Sequence, residues 1–290
     1  MNYYTGVEVL TVSKESIDEL YDKKKVSNVV AYGFDHLMYQ NTYVVLKDES
    51  GTSSSAIGRV KGNYIHLVPT PEKVSGLKPK NKEQIMALDA LMDDSVKVVI
   101  MTGKAGCGKT LMATAAALSK YEDRTFQKII YTRPMSQVTK HDLGTLPGDV
   151  EEKFSPYLQG FYCNAEYLVG GKRKNVETMI AQHSIEFLPL QLFRGASFHN
   201  SFVIVDESQV CSKSDMLTIG TRLGEGSKLV VMGDLNQRDE KIKRTDTGLF
   251  TITQNESMKN SKIVSYVELM KSERGEVSEL FAKVFENSEE

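Results

Sequence analysis

The residues best equipped for chemistry are the run Gly103-Lys104-Ala105-Gly106-Cys107-Gly108-Lys109-Thr110, which fits the pattern G-x-x-x-x-G-K-[ST] at every fixed position. Such a run grips a polyphosphate. Glycine carries no Cβ, so the main chain can approach phosphate oxygens and aim at them the N–H groups of Gly103, Ala105, Gly106, Cys107, Gly108, Lys109, Thr110 and Leu111. Lys109 then adds a point charge on the β and γ phosphates, and Thr110 offers its hydroxyl to a magnesium ion. The implied chemistry is hydrolysis of a nucleoside triphosphate.

Strands and helices must hold that run in place. Residues 96–101 are β-branched and apolar, as expected of a strand buried on both faces. Residues 111–118 are rich in Ala and Leu and free of Gly and Pro, which predicts a helix whose positive end faces the phosphates. Residues 201–205 form a second apolar run that ends in Asp206 and Glu207. Strands often end in acids, but after a full phosphate loop this pair has a specific use. Asp206 is expected to hold magnesium through water, and Glu207 to orient and deprotonate the attacking water. Residues 228–234 are another buried strand whose polar end, with Gln237 and Asp239 after it, can sense a γ-phosphate. Residues 128–132 predict a strand leading into Arg133, at the edge where parallel sheets take ligands. Further strands are expected at 184–188 and 261–267, and a closing helix from Glu273.

Composition narrows the class. The chain has 290 residues, enough for a sizeable core in one large domain, or one large and one small. A formal net charge of −2 provides no global cationic field, so a nucleic acid would have to be held by local basic patches. The three cysteines form no C-x-x-C pair, which suits reduced thiols. No leader pattern and no run of membrane-spanning length is visible, so a cytoplasmic protein with no membrane partner is expected.

Residues 1–76 read as a small β-rich domain. Alternation over 6–12, a short capped helix at 16–21, and strands at 41–47, 55–60 and 64–68 suggest a small barrel or sheet. Its Tyr, Lys and Arg residues suit single-strand binding, and a purely structural add-on suits the pattern equally. Pro69, Pro71, Gly76 and Pro79 punctuate a linker before a main domain at 77–290. The basic run Lys172-Arg173-Lys174 is read as a solvated cluster before a phosphate contact. On spacing alone Gln84 is an ordinary residue of a helix over 81–91.

Taken together, Gln84, the Gly103 to Thr110 loop, Thr132-Arg133-Pro134, Leu146-Pro147-Gly148-Asp149, Phe193-Arg194-Gly195, Asp206-Glu207-Ser208-Gln209, Thr221-Arg222-Leu223-Gly224 and the segment from Gly233 to Asp239 resemble the PhoH family. That family consists of RecA-like ATPases related to the first motor domain of superfamily 1 helicases, and the match runs in motif order over about residues 77–285. The resemblance implies an α/β P-loop NTPase fold with a parallel central sheet. It implies ATP and Mg2+ as ligands, with Gln84 on adenine, Gln237 on the γ-phosphate and Arg133 on the nucleic acid backbone. Ser208 departs from the small Ala usual there.

The amino-terminal part resembles the segment that joins a PIN nuclease to PhoH in two-domain proteins, so helicase-type activity without RNA cleavage is expected. Only one motor domain fits, so an arginine from a neighbouring subunit must complete the site. Arg222 and Arg274 are the candidates, either of which could instead serve a salt bridge. The expectation is a homo-oligomeric ring, a hexamer as the family suggests, acting on single-stranded RNA or DNA. The competing readings are a nucleotide-gated clamp that binds single strands without unwinding and, less favoured by the acid pair, a small-molecule kinase.

Overall fold

The computed structural model describes residues 3–27, 38–134, 159–170, 173–237 and 243–273, and positions 275, 277, 280, 281 and 284 beyond them. The amino-terminal part comprises β1 (Val7–Val12), α1 (Lys14–Lys23), β2 (Lys25–Ser27), β3 (Tyr43–Asp48), β4 (Ser55–Lys61) and β5 (Tyr64–Leu67). These strands form one five-stranded sheet in the order β1-β3-β4-β5-β2, with β1 parallel to β3 and the other pairs antiparallel. The order is open, so among the described residues the sheet alternative holds and the barrel does not. Ser13 caps α1 by accepting a hydrogen bond from the Ser16 N–H, so the helix begins before the expected position 16. Ile17 and Leu20, one turn apart, are fully buried against one face of the sheet.

The other face of that sheet joins the main core through Tyr43, Val45 and Ile57. Its anchor is Arg59, only 1% exposed. Its Nη1 donates to Asp89 of α2 (Lys82–Met92) and to Asp93, which caps that helix, at 2.9 Å each, and Nε and Nη2 donate to Asn41 Oδ1. Asn41 in turn donates to the carbonyls of Lys262 and Val264. Removing the cation would take both donors from the buried Asn41 Oδ1 and the ion pair from Asp89, which keeps the Tyr43 hydroxyl, while Asp93 keeps Lys61. Arg59→Met is therefore expected to destabilise the protein by about 3–5 kcal/mol, read from the midpoint of chemical denaturation near neutral pH. Asp93 is held well below the usual carboxylate range; burial works against this, but hydrogen bonds from Lys61 and Ser95 and the charge of Arg59 prevail. Stability from that shift is present above about pH 4 and is lost as pH falls toward the folded-state value, so the part of the gap between variant and wild type that Asp93 carries should narrow in acid.

The main domain adds β6 (Val98–Gly103), α3 (Lys109–Glu122), β7 (Lys128–Thr132), β8 (Ile185–Phe187), β9 (Ser201–Val205), β10 (Lys228–Gly233) and β11 (Val264–Leu269). The sheet is six-stranded and wholly parallel, in the order β11-β6-β10-β9-β7-β8. Alternate residues of these strands feed two cores. Val99, Met101, Phe202, Ile204, Val230 and Met232 face α2 and α3, whereas Ile100, Val203, Val205 and Val231 face the helices Lys213–Thr221 and Gly248–Gln254. A parallel sheet buried on both faces explains the unbroken apolar runs. The fold is the expected α/β P-loop NTPase, with β10 inserted between the phosphate-loop strand β6 and the acid strand β9. Strand β11 begins later than expected because residues 261–263 form a turn, closed by the Val264 N–H on the Ser261 carbonyl.

Candidate nucleotide site

Every parallel strand ends its run at the same edge, and the two chemical motifs meet there. Strand β6 finishes at Gly103 with φ 148°, where a Cβ would collide with the Leu269 carbonyl of the neighbouring β11. Gly108 takes φ 91° and serves as the N-cap of α3 without any side-chain capping bond. The first N–H groups of α3 therefore have no side-chain acceptor, which leaves them and the helix dipole for an anion. Lys109 folds back along the loop, donating from Nζ to the carbonyls of Gly103 (2.6 Å) and Lys104 (3.1 Å).

Opposite the loop stands Asp206. Its Oδ2 accepts from Thr110 Oγ1 at 2.9 Å and from the Tyr131 hydroxyl at 2.8 Å. Burial pushes this carboxyl up, Glu207 adds to the rise, and the bonds from Tyr131 and Thr110 pull the other way. A buried carboxylate beside a threonine hydroxyl is a hard-oxygen donor set. It fits magnesium, which takes one or two protein oxygens and completes its shell with waters and phosphate.

Glu207 adopts a left-handed backbone, φ 53°, which turns its side chain out of the strand line and leaves it 40% exposed. Its Oε2 accepts from Gln209 Nε2 at 2.6 Å, and Oε1 lies 3.8 Å from Arg133 Nη2. A cleft of about 330 Å3 brings Lys109, Thr110, Asp206, Glu207 and Gln237 together, with Asn164 of the helix Gln159–Leu168 on its wall.

Gln84 is buried behind the loop. Its Nε2 donates to the Cys107 carbonyl (3.2 Å) and its Oε1 accepts from the Lys80 N–H (2.9 Å). One donor hydrogen and one lone pair of the carboxamide remain, the complement that an adenine edge requires. Ser208 is fully buried, and its hydroxyl finds the Met232 carbonyl at 2.7 Å, which accounts for a polar residue at that position.

Not every residue singled out in the sequence lies at this edge. The backbone of Arg222 pairs with Phe198, ahead of β9, so Arg222 sits at the opposite end of the sheet from the loop. Arg274, Asp239 and the Leu146 to Asp149 motif fall outside the described residues, as does Lys172. Conversely, Tyr131 and Asn164 carried no sequence signal of a role in the site, and Gln209, though part of the Asp206 to Gln209 motif, was assigned no role of its own. Tyr131 read as one apolar strand residue among several, and Asn164 comes from a helix with no recognisable motif.

The model of the PhoH-like protein family matches residues 76–286. The chain belongs to the PhoH family. It is 37% identical over 287 residues to Protein PhoH2 of Bacillus subtilis, covering 96% of this chain and 64% of that one. To Protein PhoH2 of Mycolicibacterium smegmatis it is 34% identical over 286 residues, covering 98% and 63%. The chain thus spans less than two thirds of the length of these PhoH relatives. Among solved structures it is similar to the Pif1 helicase from Candida albicans, with TM-score 0.38 and 16% identity over 73% of this chain and 44% of that one, a likeness on which nothing here rests. Among the described residues no helix is long and apolar enough to cross a membrane.

Proposed function

We propose that this PhoH chain is an ATP-driven helicase or translocase acting on single-stranded RNA, and that ATP is hydrolysed at the subunit interfaces of a ring, most simply a hexamer. One observation carries the hydrolytic part: the phosphate loop, the Asp206–Glu207 pair and Gln237 converge on one cleft at the carboxyl edge of the parallel sheet. In the mechanism the loop N–H groups and Lys109 hold the β and γ phosphates, while Gln84 reads the adenine edge. Glu207 accepts a proton from a water as that water attacks the γ-phosphorus, the bond to the β-phosphate oxygen breaks, and ADP and phosphate result. Magnesium, when bound beside Thr110 and Asp206, neutralises charge on the phosphates. Gln237 contacts the γ-phosphate, and Arg133 contacts the polymer backbone.

Support for a shared site comes from the cleft lining. Among the described residues that line it Lys109 is the only cation, and Arg133, 3.8 Å from Glu207, is assigned to the polymer. Stabilising the transferring phosphoryl group through an arginine is worth about a thousandfold or more, so a neighbouring subunit is assigned that part, through Arg222 or Arg274. The test is ATP turnover with single-stranded RNA, single-stranded DNA and no polymer, beside strand displacement from a fluorescent duplex and a native mass measurement. Faster turnover with RNA, strand release and a multi-subunit mass are expected. Stimulation by RNA without release in either polarity would leave the clamp reading, and full turnover by a lone subunit would overturn the ring.

A further inference from the structure

The carboxamide of Gln209 touches both halves of the cleft. Gln209 sits in the short turn Ser208–Val210 after the acid pair and is only 5% exposed. Its Nε2 donates to Glu207 Oε2 at 2.6 Å, and its Oε1 accepts from the Asp234 N–H at 3.1 Å. Asp234 opens the turn that carries Gln237: its carbonyl accepts from the Gln237 N–H, and its Oδ1 accepts from the Asn236 N–H. One rigid amide therefore spans Glu207 and the Asp234–Gln237 turn. Gly233 leaves the room for it, because a Cβ there would come within 2.7 Å of Gln209 Oε1.

We infer that Gln209 is a positioning residue, which aims the Glu207 carboxylate at the attacking water and ties it to the segment that contacts the γ-phosphate. Glu207 needs such a partner. Its side chain is half exposed, has several rotatable bonds, and stands 3.8 Å from Arg133, too far for a direct hydrogen bond. A hydrogen bond of 2.6 Å from a buried donor fixes one oxygen of a carboxylate that lines the cleft. Because the same amide accepts from Asp234, a shift of the turn on loss of γ-phosphate withdraws the base with it. This inference rests on the reading of Glu207 as the base.

Two variants separate positioning from mere packing. Gln209→Leu removes both bonds at nearly the same volume. Gln209→Glu keeps the length and the acceptor for Asp234 but removes the donor to Glu207. In each, kcat for ATP is expected to fall about ten- to a hundredfold, since small misplacements of a reacting group carry losses of that order. For Gln209→Glu, KM and the affinity for a fluorescent ATP analogue should stay within about twofold, because the loop is untouched and the acceptor that holds the Gln237 turn is kept. In a double-variant cycle with Glu207→Gln, adding Gln209→Glu should slow the enzyme no further. A kcat within twofold of wild type for Gln209→Glu, a loss confined to KM, or losses that multiply in the cycle would each overturn the inference while the proposed function stood. A wild-type chain without any ATP turnover would overturn the proposed function and this inference with it.

Discussion

Glu207→Gln is expected to bind ATP as the wild type does and to hydrolyse it about a hundred to ten thousand times more slowly, the range spanned by the loss of a positioned general base. The substitution replaces one carboxylate oxygen by an amide and leaves the shape intact. Binding should survive because the loop, the start of α3 and Gln237, the groups assigned to the phosphates, are all left unaltered. The backbone at 207 should survive as well, since glutamine meets the same left-handed φ of 53° as glutamate does. An amide cannot take a proton from water at neutral pH, so the attacking water would keep its proton. The measurement is single-turnover hydrolysis beside equilibrium binding of a fluorescent analogue. Near-normal turnover would mean that another group serves as base, and joint loss of binding would mean that Glu207 holds the nucleotide.

Legibility in the sequence tracked how local the causes were. The glycine loop is a local backbone device, and its requirements, seen at Gly103 and Gly108, are written in residue types at fixed spacing. Strands β6, β9 and β10 were readable because a sheet buried on both faces demands continuous apolar runs. What escaped was set by tertiary contact. Tyr131 looks like any strand residue until β7 pairs with β9 and its hydroxyl meets Asp206. Gln209 stands in the Asp206 to Gln209 motif, but its bond from the Asp234 N–H, beyond a different strand, leaves no local sign, and Asn164 reaches the cleft from across the fold.

The amino-terminal sheet shows the same limit. Strand β2 has three residues directly after a helix, too short for a visible alternation, and the parallel pairing of β1 with β3 needs a crossover that no local pattern reports. Arg59 and Lys228 both lie in strands, and nothing in their local sequence marks their partners. Arg59 is buried against the carboxylates of Asp89 in α2 and Asp93 at its cap, and Lys228 donates to the carbonyls of Ala90, Leu91 and Asp93 at the end of that helix. A buried cation is stable only where several acceptors converge, and that convergence exists only once the chain has folded.

Lys109→Ala is expected to weaken ATP binding about ten- to a hundredfold and to bring turnover at saturating ATP down by about a further hundred- to thousandfold. The first figure is a charge-assisted hydrogen bond to phosphate, and the second is one preorganised donor to charge that develops in the transition state. The fold itself should hold, because Lys109 is half-buried and its partners are the carbonyls of its own loop, which water can satisfy. Lys109→Arg should not rescue. The Lys109 ammonium lies 3.6 Å from the Cys107 sulfur while donating to the Gly103 carbonyl, a space suited to a compact charge and not to a planar guanidinium. Titration with a fluorescent ATP analogue, turnover at saturating ATP and a thermal melt together check the three parts. A melt unchanged with binding lost places the cation on the nucleotide, whereas binding within twofold of wild type would move the phosphate contact elsewhere in the loop.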